Sequence, residues 1–80
     1  MNDLMFIEIT SVQHLDGYKL RLGFNTGETK VVDLKNQLTG DVFAPLRDID
    51  FFKQGKITYN TVEWPNGADF APEFLYTLNP

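Results

Sequence analysis

Tyr18-Lys19-Leu20-Arg21-Leu22-Gly23-Phe24-Asn25-Thr26-Gly27-Glu28 decides the fold. Tyr18, Leu20, Leu22 and Phe24 alternate with Lys19, Arg21 and Gly23, a period of two that gives a strand one buried face and one wet face. Asn25-Thr26-Gly27 fits a three-residue hairpin loop with Gly27 in the left-handed conformation. The register that follows sets Phe24 opposite Glu28, Leu20 opposite Val32 and Lys19 opposite Asp33. Val32 and Leu34 then join the face of Leu20 and Tyr18. Lys19 and Asp33 would make an exposed cross-strand contact worth about 0.2–1 kcal/mol.

Upstream, residues 5–13 read as a strand with Met5, Ile7 and Ile9 on one face and Glu8 and Thr10 on the other. Ile9 and Val12 fall on opposite faces unless a bulge near Ser11 brings them together. Asp16-Gly17 turns this strand into the next. Downstream the period of two stops after Leu34. Residues 36–40 read as a loop or single helical turn. Residues 41–47 suit a short helix with Asp41 as N-cap and Pro45 in its first turn. Residues 48–53 form another short turn or helix, with Ile49, Phe51 and Phe52 covering one end of the sheet. Gly55 releases the chain into a last strand over residues 56–64, apolar on both faces. Pro65-Asn66-Gly67 ends it. Pro72 suits the first position of a closing helix, Glu73 its first turn, and Phe74, Leu75 and Leu78 its buried face. The expected class is α+β: an antiparallel sheet of three to four strands (two consecutive hairpin-linked strand pairs, then a later strand) with short helices, the last closing the C-terminus.

With 80 residues the chain is expected to form one domain over 1–80. Seven Phe, three Tyr and one Trp supply the bulk of a core in the absence of cysteine staples. No cysteine means no disulfide, thiolate zinc or thiol nucleophile. The N-terminus lacks a signal-peptide pattern, and no segment approaches the roughly 20 apolar residues of a membrane span, so a cytoplasmic protein without membrane contact is expected. A net charge of −4 repels phosphate backbones, and the chain alone is expected not to bind nucleic acid. Lys19, Arg21 and Lys30 come nearest to a basic patch. Lys30 falls on the other face and Asp33 offsets the pair, so a solvated face is expected.

The residues singled out for partner or ligand binding are Trp64, Asn66, Asp69, Glu73 and Tyr76. Trp64 beside Pro65 is either a stacking platform or the core anchor of the closing helix. Asn66-Gly67 is a turn pair first. Asp69 and Glu73, with Glu63, form either a carboxylate group for acid–base work or a hard cation, or a set of local caps: Asp69 on the turn amides and Glu73 on the helix dipole. The local role is the expectation. His14 has no second His, Cys or Ser partner for a metal or triad. Without a phosphate loop, dinucleotide fingerprint or nucleophile elbow, neither an enzyme nor a cofactor is expected.

The run from Tyr18 to Glu28 with Val32-Asp33-Leu34 resembles the hairpin of a widespread set of small bacterial proteins. Phe43-Ala44-Pro45-Leu46-Arg47-Asp48 with Phe51-Phe52 resembles its central segment, and Trp64-Pro65-Asn66-Gly67-Ala68-Asp69 with residues 72–76 its closing signature. That family is catalogued only as a domain of unknown function. The resemblance implies a small α+β domain on an antiparallel sheet, with no catalytic residue to carry over. Some relatives carry the domain ahead of a repressor-like helix-turn-helix, and others resemble partners of small toxin-like proteins. With Pro80 as the last residue, no helix-turn-helix is expected here. The expected function is a non-enzymatic protein-interaction or regulatory module, antitoxin-like toward a small basic protein. The alternative is a ligand sensor with a pocket between sheet and closing helix near Trp64, Tyr59 and Tyr76. An exposed edge strand would also allow a homodimer.

Overall fold

Alternation along the central strand builds the sheet. β2 (Lys19–Phe24) lies between β1 (Ile9–His14) and β3 (Thr29–Asp33), antiparallel to both, in a computed structural model that describes residues 6–78. Met5, assigned to the first strand from sequence, lies outside the described residues. The inner face carries buried Ile9, Leu20, Leu22, Phe24 and Val32. The outer face exposes Ser11, Gln13, Lys19 and Arg21.

The β2–β3 register is Lys19 with Asp33 and Leu20 with Val32, as the alternation predicts. The Phe24 amide donates to the Glu28 carbonyl at 2.9 Å around a loop whose Gly27 has φ 91. No ion pair joins Lys19 to Asp33. The Asp33 carboxylate instead accepts the Lys35 amide at 3.0 Å. The β1–β2 register shifts between Ile9 and Ser11, so a bulge there turns both Ile9 and Val12 inward, as expected.

Short helical pieces cover the inner face. They are a 3-10 turn at Lys35–Gln37, α1 (Gly40–Phe43), a 3-10 turn at Ala44–Arg47 and α2 (Ile49–Phe52). Asp41 is not the N-cap of α1. Thr39 holds that position without a side-chain bond, two residues earlier than expected, and is followed by left-handed Gly40 (φ 81). Pro45 is instead the second residue of the following 3-10 turn. Asp48 does cap α2, accepting the Asp50 amide at 3.0 Å. Leu46 and Phe52 are fully buried beneath these turns.

Residues 56–64 form a hairpin where one strand is expected from sequence. β4 (Lys56–Thr58) pairs antiparallel with β5 (Thr61–Glu63) as a separate two-stranded sheet. Tyr59 and Asn60 form the two-residue turn with φ 50 and 75, the positive pair of a type I′ turn. Asn accepts that conformation, but a bulky residue there is unusual, so Tyr59 hid the turn. The Asn60 carbonyl accepts the Ile9 amide at 2.8 Å, fastening the hairpin to the bulged start of β1.

α3 (Pro72–Thr77) closes the described fold, with Leu75 buried and Pro72 in its first turn. Tyr76 meets Phe24 edge to face at 5.1 Å. Lys30, on the inner side of β3, donates to the Tyr76 carbonyl at 2.6 Å and lies 4.2 Å from its ring. These contacts tie the helix to the β2–β3 hairpin.

Candidate functional site

The five residues singled out from sequence do not converge on one site. Trp64 is 2% exposed and anchors the core. Its Nε1 donates to the Phe52 carbonyl at 2.7 Å, and its ring packs on Phe52 and, edge-on, on Phe70. Gly55 makes room for it: a Cβ there would lie 2.8 Å from Cε2 of the indole.

Asn66 closes the turn. Its Oδ1 accepts the Ala68 amide at 3.2 Å, and its Nδ2 donates to the Val42 carbonyl at 2.9 Å, tying the turn to α1. Asp69 does not cap the turn as expected, because Asn66 performs that role. Its backbone bridges Glu63, and among the described residues its exposed carboxylate has no hydrogen-bond partner. Glu73 is exposed in the first turn of α3. Among the described residues no group of three His, Asp or Glu side chains is arranged to hold a metal ion.

Tyr76 takes part in a contact that sequence reasoning missed. Its hydroxyl donates to the Glu28 carboxylate, which also accepts the Thr26 hydroxyl at 2.9 Å. Donation from Tyr76, then from Thr26, holds the Glu28 carboxyl below the usual range, and the same bond raises the Tyr76 phenol. Forty-eight residues separate the two partners, so no local pattern announces them.

The expected pocket among Trp64, Tyr59 and Tyr76 does not form. Tyr59 is 94% exposed at the hairpin tip, and neither tyrosine lines the cavity beside Trp64. That cavity, about 430 Å³, is an open groove lined by Gln54, Lys56, Thr58, Glu63, Trp64, Pro65 and Gly67. It depends on the β4–β5 pairing, which the single-strand reading concealed.

The other distinctive surface is the outer face of β1-β2-β3. Lys19 and Arg21 project from β2 beside Ser11 and Gln13 of β1, and Arg21 donates to Gln13 Oε1 at 3.0 Å. Thr29 lies opposite Gly23 on the same face. Asp33 is the acid of this face. Asp41, Asp48, Asp50, Asp69 and Glu73 all stand exposed on the later segments. No described helix is long and apolar enough to cross a membrane.

A small α+β domain with an antiparallel sheet open on one side, and closed by a C-terminal helix, is the class these features define. The chain belongs to the family described as "Protein of unknown function (DUF2442)", whose model matches residues 9–80. No curated protein matches it. A crystal structure from Nitrosomonas europaea, of "Putative DNA Binding Protein NE0471", is similar at 32% identity and a TM-score of 0.79, covering 95% of this chain. This chain spans 50% of that one, about half its length. The likeness overturns the expectation, drawn from net charge, that the chain has no direct dealing with nucleic acid. A whole-chain sum of −4 does not record where the charges stand.

Proposed function

We propose that the chain is a non-enzymatic regulatory module that contacts the backbone of duplex DNA through the outer face of β1-β2-β3. The observation that carries this reading is the 32% identity, over 95% of this chain and half of the other, to the protein called "Putative DNA Binding Protein NE0471". Neither that protein nor the family is described as an antitoxin or a ligand sensor.

The physical support is the composition of the open sheet face. Lys19 and Arg21 are exposed cations for phosphate oxygens, Arg21 oriented by its bond to Gln13. Ser11, Gln13 and Thr29 are neutral hydrogen-bonding groups around them, and Asp33 is the acid of the face. β-Ribbons and sheets are known to lie in DNA grooves. Contacts of this kind position a protein without reading sequence. Two cations neutralise about two phosphates, so binding is weak, at the upper end of the nonspecific range of about 10⁻⁴–10⁻⁶ M.

The test is an NMR titration of the ¹⁵N-labelled chain with a short duplex at low salt. Shifts concentrated at Ser11, Gln13, Lys19, Arg21 and Thr29 are expected. Shifts confined to the α3 or β4–β5 regions would move the contact off this face.

A further inference from the structure

Lys56 and Glu63 are register partners across the β4–β5 ladder, so their side chains leave the hairpin on one face. They form neither an ion pair nor a hydrogen bond; the ion pair among the described residues is Lys53 with Asp50 at 3.8 Å. Both instead line the groove of about 430 Å³, a volume within the range of small-molecule sites.

The rest of the lining completes a recognisable chemistry. Trp64 and Pro65 supply an apolar wall, and Thr58 and Gln54 supply neutral donors and acceptors. Glu63 is also the bridge partner of Asp69, so a second carboxylate stands on its far side. A lone anion drawn to Lys56 would meet the Glu63 and Asp69 charges, and a lone cation would leave Lys56 without a partner. A molecule carrying both charges at fixed separation satisfies each end.

We infer that this groove binds a small zwitterion of the α-amino acid class. The ligand carboxylate sits on Lys56 Nζ, its ammonium on the Glu63 carboxylate, and its side chain along Trp64 and Pro65. The groove is open to solvent, so affinity is modest, with a Kd of about 1 mM. The site lies on the separate two-stranded sheet and does not depend on DNA contact through the other one.

The test is an NMR titration of the whole chain with glycine, L-alanine and L-glutamine, beside acetate and methylammonium as single-charge controls. The amino acids should produce saturable shifts at the Lys56, Thr58, Glu63 and Gly67 amides and the Trp64 indole. Lys56→Met and Glu63→Gln should each weaken binding about tenfold while the remaining spectrum stays in place. Absence of these shifts at amino acid concentrations about ten times the expected Kd overturns the proposal. So does acetate or methylammonium matching the amino acids, or unchanged affinity in Lys56→Met.

Discussion

Tyr59 stands at φ 50 with 94% of its surface exposed, so it bears the strain of a left-handed residue and gains little packing in return. Left-handed backbone costs an ordinary residue about 1–2 kcal/mol, and Asn tolerates it better. Tyr59→Asn should therefore raise the free energy of unfolding by up to about 1 kcal/mol, read from urea denaturation. The reverse holds at Gly55, where any Cβ collides with an indole fixed by its bond to Phe52. Gly55→Ala should cost about 1–3 kcal/mol in the same assay, an overpacking penalty. At this scale the sequence was partly legible. A lone Trp before Pro65 and a turn suits a core anchor, but its close approach to Gly55 is a tertiary fact. Tyr59 hid its own turn by being the wrong residue type for it.

The β2–β3 hairpin was the most legible element, since strict alternation and Asn25-Thr26-Gly27 together permit one register. The bulge near Ser11 was legible too, because only an extra residue turns Ile9 and Val12 the same way. The β4–β5 hairpin was not, and the Lys56–Glu63 groove vanished with it. Docking of α3 on β2–β3 through Tyr76, Glu28 and Lys30 was equally hidden, since alternation does not report long-range polar contacts. It makes a pH prediction. The folded pKa of Glu28 is lowered, so its contribution is present above the ordinary carboxylate value of 4.5 and is lost as pH falls through the lowered one. The Tyr76 pKa is raised, so its contribution is present below 10.0 and is lost as pH rises through the folded value. An NMR pH titration should show the Glu28 carboxyl returning toward 4.5 in Tyr76→Phe. Melting curves of Glu28→Gln should lose part of the acid-side dependence.

For the whole molecule, fold class was readable and the proposed DNA contact was not, and charge explains the difference. Hydrophobic periodicity survives in the sequence because burial follows it residue by residue. Net charge is a sum, and −4 does not record that Lys19 and Arg21 share one sheet face, with Asp33 as the acid beside them. Steering by a local patch is a property of arrangement. The most direct test of DNA contact through this face is fluorescence anisotropy of a labelled duplex, titrated with the chain across a range of salt concentrations. The predicted result is weak binding whose log K falls against log salt with a slope of about −2, reduced by about 1 in each of Lys19→Ala and Arg21→Ala. No binding at low salt, or a slope untouched in the double variant, would contradict it.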